Sequence, residues 1–293
     1  MNTIATDSDD SALTLKRQLD AQAGRPGHAL ANYFYRSPQV YRRELESLVF
    51  RSWIYAAHTS ELPEPGDYLL LAIGEDSLII TRDDGGELHA LHNICRHRGA
   101  RVCEAVQGRR KTFVCPYHGW VYRLDGSLKA AREMDRLPGF DERSHGLKRA
   151  RLVEYMGLIF INCDPDAADF LAPLVRLEPS LAAYDLANAR VAHKATYRVD
   201  ANWKLALENY LECYHCTTAH RAYARMHTLK DLEHRVKPVL DAMLARTEAV
   251  TGIAGMGQEL SATYSEAQGF GTCVSTQRYG LFDGYQTGSE DGQ

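Results

Sequence analysis

Two short stretches of this chain each pair a thiol with an imidazole. The first is Asn93-Ile94-Cys95-Arg96-His97-Arg98-Gly99-Ala100, and the second is Cys115-Pro116-Tyr117-His118-Gly119-Trp120. The spacings, Cys-x-His and then Cys-x-x-His, give each arm one thiolate and one imidazole. A [2Fe–2S] cluster with two Cys on one iron and two His on the other needs that supply, and exchanging two thiolates for neutral imidazoles raises its reduction potential. Gly and Pro in the arms suit loops that close over one cluster. A Cys₂His₂ zinc site is the other chemistry open to these four residues, although zinc fingers usually pair Cys with Cys and His with His on separate arms.

A second constellation is Glu212-Cys213-Tyr214-His215-Cys216-Thr217-Thr218-Ala219-His220, at the end of an apolar segment that opens with Asn202-Trp203-Lys204. Two His and a carboxylate on one iron leave positions open for O₂ and substrate. Residues five apart on a regular α-helix point about 140° apart. His215 and His220 therefore share one metal only where the helix is widened, as by a π-type turn, or broken. Two plainer readings stand beside this one: partly buried helix histidines, or zinc held by Cys213 and Cys216 with both His. Cys213 and Cys216 taken alone also read as a redox dithiol. An O₂-activating iron is a sensible acceptor for a cluster that carries one electron at a time.

The elements that must hold these groups are legible in the same sequence. The polar, acidic start and residues up to about 30 read as a mobile arm. Pro38 to Trp53 carries Val40, Leu45, Leu48, Val49 and Phe50 at roughly helical spacing. After Pro63-Glu64-Pro65-Gly66 come strand-like runs at 68–73, 77–82, 89–93, 112–114, 119–122 and 157–163. Turns at Asp83-Asp84-Gly85-Gly86, Gly108 and Asp125-Gly126-Ser127 separate them. That pattern predicts a small antiparallel β-domain over about 50–165, ending near Asp164-Pro165-Asp166. Helices are expected at about 170–187 and 202–250, with a strand around 191–199.

Composition excludes several functions. The 293 residues are 45% hydrophobic and 25% charged with a net charge of -4, as in an ordinary globular protein. No Lys/Arg run argues for nucleic acid. The longest apolar runs, such as Tyr68 to Ile73, are too short to span a bilayer. The N-terminus is unlike a secretory signal, and the seven Cys show no paired framework. A reducing cytoplasm is the expected compartment.

In combination the motifs resemble the α subunit of the Rieske non-haem iron oxygenases, the ring-hydroxylating family, from about Tyr33 to the end. The resemblance implies an α+β fold: a small antiparallel β Rieske domain inserted before a helix-grip catalytic domain. The boundaries would be 1–49 for an arm and helix packing on the catalytic domain, 50–165 for the Rieske domain and 166–293 for the mononuclear-iron domain. It implies Cys95, His97, Cys115 and His118 as cluster ligands, and His215 and His220 as ligands of a mononuclear Fe(II) that uses O₂. It also implies a reductase or ferredoxin donor, a small-molecule substrate, and a homotrimer or larger trimer-based assembly. In that assembly the cluster of one subunit faces the iron of its neighbour. An acid bridges the two centres, and the matching residue is Glu212, where most ring dioxygenases have Asp. The Glu-Cys-Tyr-His-Cys wording resembles the branch that oxidises betaine- and carnitine-like quaternary amines. Such a cation needs aromatic faces, and Tyr223, Tyr264, Tyr279 and Tyr285 are candidates. In the family the iron's carboxylate lies more than a hundred residues past the His pair. This chain runs 73 residues past His220, and its late acids Asp283, Glu290 and Asp291 sit in a Gly/Ser-rich tail. The expectation is a C-terminally incomplete catalytic domain whose third ligand lies beyond residue 293. The alternatives are a Rieske electron carrier and a degenerate paralogue without chemistry.

Overall fold

The computed structural model describes residues 12–172, 174, 178–182, 184–211 and 215–226, together with Ala245 and residues 262–264 and 272–274. By its contacts the chain divides into two units. One comprises Met1–Phe170 with Leu186–Tyr197, the other Leu171–Asp185 with Arg198–Gln293. The architecture is α+β: antiparallel sheets with helices.

The first unit opens with α1 (Ala12–Ala23), where the sequence reads as a mobile arm. Its Ala, Leu, Lys, Arg and Gln content favours helix, and Lys16 reaches Asp20 one turn on at 2.9 Å. None of its residues is fully buried, so local propensity carries much of its stability. After the short α2 (Asn32–Arg36), α3 (Pro38–Ser47) starts on Ser37, whose hydroxyl accepts from Val40 N at 3.1 Å, with Pro38 at the first helical position.

Ten strands follow: β1 (Ile54–His58), β2 (Asp67–Ile73), β3 (Asp76–Arg82), β4 (Leu88–His92), β5 (Gln107–Arg109), β6 (Phe113–Val114), β7 (Val121–Tyr122), β8 (Leu128–Ala130), β9 (Arg149–Tyr155) and β10 (Leu158–Asn162). Seven form one sheet in the order β1-β10-β9-β4-β3-β2-β5, and β6-β7-β8 form a second. All the pairings are antiparallel. The large sheet is buried on both faces, which explains the unbroken apolar runs. Along β3, Leu78 and Ile80 enter one core with Ala57, Ile159 and Ile161, while Ile79 points the other way. That second core, with Phe113, Trp120, Tyr122 and Leu128, contains both cluster-arm thiols, Cys95 and Cys115. The sequence patterns miss β1, β5, β8 and β9, which lack clean alternation.

The second unit holds α4 (Glu178–Ala182), α5 (Trp203–Leu211), α6 (Cys216–Ala219), α7 (Arg221–Met226) and the strand pair β11 (Ala262–Tyr264) and β12 (Thr272–Val274). Three expectations need correction. The helix at 170–187 reduces, among the described residues, to the five residues of α4, with Leu186–Asn188 a 3-10 turn. Residues 191–199 form no ladder; within the first unit Val191 N donates to Ser60 Oγ at 3.4 Å and Lys194 Nζ to Glu61 Oε1 at 2.7 Å. Of the long helix expected at 202–250, α5, α6 and α7 are separate pieces, and most of the rest lies outside the described residues. The expected tail loop, with Asp283, Glu290 and Asp291, lies outside them too.

Candidate metal centres

The two Cys/His arms are hairpin loops of the same design. In the first, Cys95 N donates to Ala100 O at 2.8 Å and Gly99 N to Cys95 O at 3.0 Å. In the second, Cys115 N donates to Trp120 O at 2.8 Å and Gly119 N to Cys115 O at 3.0 Å. Both turns close through a glycine with positive φ, 73° at Gly99 and 69° at Gly119, a conformation that a side chain strains. Repetition of one loop geometry thus places two thiols and two imidazoles side by side.

The arms brace each other. Tyr122, on the strand leaving the second arm, puts its hydroxyl 3.2 Å from Cys95 Sγ and accepts Arg96 N at 3.0 Å. Trp120 of the second arm lies parallel to His97 of the first. At the base of the first arm Asn93 is 1% exposed. Its Oδ1 accepts Val102 N and Cys103 N, and its Nδ2 donates to Cys103 O and Ser77 Oγ. Asn93 was not among the expected site residues; its signal was only its place two residues before a ligand.

Burial and close pairing shift how these donors titrate. Cys95 and Cys115 are 3% and 2% exposed. Burial pushes the Cys115 thiol up, backbone N–H groups of Tyr117 and His118 pull it down, and Cys95 beside it raises it again. Burial, then neighbouring His118, lowers the pKa of His97 and keeps it a neutral donor. The rings of His97 and His118 are 4.6 Å apart between centroids. His97 Nδ1 is buried without a hydrogen-bond partner, which is what a nitrogen awaiting a metal looks like in its absence. His118 and Tyr117, by contrast, are exposed. These four residues fit a [2Fe–2S] cluster with mixed ligation.

The second centre depends on a break. Asn202 Oδ1 caps α5 through Lys204 N at 3.0 Å. After Leu211 the acid Glu212, with Cys213 and Tyr214, falls outside the described residues. His215 then begins a single helical turn, α6, and His220 ends it with φ -112° and ψ 65°. That backbone interruption, not a π-type turn, is what lets residues five apart approach: the ring centroids of His215 and His220 are 5.2 Å apart. The donor atoms of His215, Cys216 and His220 all lie within 4.8 Å of one another. The other such group, Asp83, Glu87 and His89, is satisfied by its own hairpin turn. Among the described residues no helix is long and apolar enough to cross a membrane.

Comparison with known proteins bears on both centres. Residues 52–141 match the Rieske [2Fe-2S] domain, and residues 186–280 match the catalytic domain of the ring hydroxylating alpha subunit. The chain is 38% identical over 226 residues to the glycine betaine monooxygenase oxygenase subunit of Chromohalobacter salexigens, covering 75% of this chain and 50% of that protein. It is 36% identical over 193 residues to the carnitine monooxygenase oxygenase subunit of Acinetobacter pittii, covering 65% and 52%. The chain thus spans about half the length of these relatives. Among solved structures, a quaternary ammonium Rieske monooxygenase in complex with L-carnitine aligns with a TM-score of 0.59 at 34% identity, over 67% of this chain and 58% of that one. Naphthalene 1,2-dioxygenase from Rhodococcus sp. aligns with a TM-score of 0.62 at 34% identity, over 72% and 49%.

Proposed function

We propose that this chain, which belongs to the ring-hydroxylating oxygenase α subunits built on a Rieske domain, is a terminal oxygenase component acting on a quaternary amine. Cys95, His97, Cys115 and His118 would hold the cluster, and His215 and His220 the mononuclear iron. When bound, the cluster supplies single electrons from a reductase or ferredoxin, and the iron activates O₂ for hydroxylation or oxidative demethylation. The observation that carries this reading is one chain holding both constellations, each gathered: the four arm ligands with an unpartnered buried imidazole nitrogen, and the His pair joined by a helix break.

The residues divide the work. Trp120 and Tyr122 fix the first arm against the second, so the ligands are held in place before any metal arrives. His118, exposed at the rim, would give the cluster its outward side for passing electrons on. Glu212 would accept a hydrogen bond from the outward ring nitrogen of His118 in the neighbouring subunit of a homotrimer, since a metal-bound His turns its second N–H to a carboxylate. Glu212→Gln should leave both metals bound and slow electron transfer between them. On this reading the cluster would belong to residues 50–165 and the mononuclear iron to residues 166–293. A reducing cytoplasm, which keeps thiols available as metal ligands, would suit this reading.

For the substrate, the relatives named for glycine betaine and carnitine favour a trimethylammonium group, which aromatic faces bind. Tyr223, half-buried on α7 just past His220, is the described candidate; the side chains of Tyr264, Tyr279 and Tyr285 lie outside the described residues. The test is metal and sulfide analysis together with product analysis. Each chain should hold the cluster's two irons and two sulfides plus one further iron. His215→Ala should lose the single iron alone, and His118→Ala the sulfide. Zinc without labile sulfide would overturn the reading. Iron and sulfide in a two-to-two ratio would mean an electron carrier.

A further inference from the structure

We infer that Tyr117 is a positioning residue for His118: its ring sets the plane of that imidazole, and with it the direction of the N–H that faces outward from the arm. The inference rests on the reading of the two arms as a [2Fe–2S] site and deepens it at the ligand from which electrons would leave. Its first support is ring geometry. The Tyr117 and His118 rings are 3.8 Å apart between centroids and tilted by 31°, a face contact that leaves the imidazole little room to turn. His97 meets the same ring at 4.6 Å with the planes at 66°. Aromatic rings favour such offset and edge-on arrangements over a flat sandwich. A second support is what else could hold the ring. A ligand His ordinarily takes its orientation from a carboxylate, carbonyl or water at its second nitrogen. Among the described residues no hydrogen bond reaches either ring nitrogen of His118, so among them ring contacts alone orient it.

The two arms differ in this respect. The wall of His97 is Trp120, buried in the core. The wall of His118 is a tyrosine 58% exposed, beside an exposed His118. Its backbone is nevertheless held. Pro116 before it has a fixed φ, the Tyr117 N–H donates to the Cys115 sulfur, and the turn closes from Gly119 N to Cys115 O at 3.0 Å. None of these contacts uses the tyrosine side chain, so removing the ring takes away the wall and leaves the turn. The stack uses the ring face and not the hydroxyl, which separates a phenylalanine from an alanine at this position.

The experiment uses the full chain with its cluster loaded and reduced, grown with isotope-labelled histidine. Pulsed EPR reads the magnetic coupling of each ligand nitrogen to the cluster in wild type, Tyr117→Phe and Tyr117→Ala. Iron and sulfide are counted on the same samples. Both variants should keep wild-type iron and sulfide. Tyr117→Ala should shift and broaden the coupling of one ligand nitrogen, as a ring with a spread of orientations does, and leave the other unchanged. Tyr117→Phe should restore the wild-type spectrum. An alanine spectrum identical to wild type overturns the inference, and so does an equal change in both nitrogens. A phenylalanine variant as altered as the alanine one assigns the effect to the hydroxyl and overturns it too. Loss of sulfide in Tyr117→Ala makes the residue structural, which also ends the positioning role. A wild type without labile sulfide or a nitrogen-coupled cluster signal overturns the reading of the arms beneath it; an intact wild-type signal with an unresponsive alanine variant overturns the inference alone.

Discussion

Trp120 lies flat against His97, with ring planes 5° apart and centroids 5.0 Å apart. The two belong to different arms, so the stack ties the arms together as well as fixing the plane of one imidazole. Trp120 is 3% exposed within the core, and its ring also meets Phe140 and His145 edge-on. Trp120→Ala should therefore remove core volume and the platform together. The expected destabilisation is about 3–5 kcal/mol, with sulfide and iron content falling in parallel. Trp120→Phe should keep most of the cluster. Thermal unfolding alongside sulfide analysis checks both; an alanine variant with full sulfide would show that the stack is incidental.

Tyr122 offers a more selective probe. Its hydroxyl stands 3.2 Å from Cys95 Sγ, and burial, then Cys95, raises its pKa so that it stays a protonated donor. A hydrogen bond to a ligand sulfur favours the reduced, more negative cluster. Tyr122→Phe should lower the reduction potential while leaving the iron and sulfide content intact. Arg96 N loses its acceptor, so a stability loss of about 1–3 kcal/mol should accompany the shift. Protein-film voltammetry reads the potential; an unchanged value would remove Tyr122 from any tuning role.

Asn93 fixes the base of the first arm by four hydrogen bonds to Ser77, Val102 and Cys103. Asn93→Ala leaves buried backbone groups unpaired at about 1–3 kcal/mol each. Asn93→Asp is the sharper test. A carboxylate still accepts from Val102 N and Cys103 N but cannot donate to Cys103 O, which the Asn93 amide meets at 2.6 Å. Both variants should lose cluster occupancy, and urea unfolding should show Asn93→Asp falling short of wild type despite its nearly identical shape.

Acid should unfold the β-rich unit through its turn carboxylates. Burial would raise the pKa of Asp83, but His89 and the N–H groups of Glu87 and Gly85 outweigh it and hold the carboxyl below the usual range. Asp67 is likewise lowered; burial opposes the shift, and Arg109 at 2.7 Å leads the groups that drive it. A folded pKa below the unfolded one adds stability that is present above the unfolded value of about 4, and that stability is lost as pH falls through the folded value. Unfolding midpoints should be flat near neutrality and drop below about pH 5. Asp83→Asn should flatten that slope while lowering the neutral-pH midpoint. An unaltered slope would place the acid sensitivity elsewhere.

Sequence alone supplied the candidate donors and the chemistry open to them. Ligand type is a property of the side chain, and the spacing of Cys95 with His97 and of Cys115 with His118 is local, so both survive without knowledge of the fold. The hairpins of β2, β3 and β4 were legible for the same reason: turn residues and apolar runs act over a few residues. What required tertiary structure was everything set by contacts distant along the chain. The insertion of β10 between β1 and β9, the role of Asn93, and the bracing of the first arm by Trp120 and Tyr122 join residues up to 111 positions apart, as in Asn162 Nδ2 to Arg51 O at 3.1 Å. The His215/His220 pair lies between these cases. Its spacing announced that a regular helix would fail, because 3.6 residues per turn cannot align positions five apart. Only the backbone at His220 showed that the chain meets this demand by breaking.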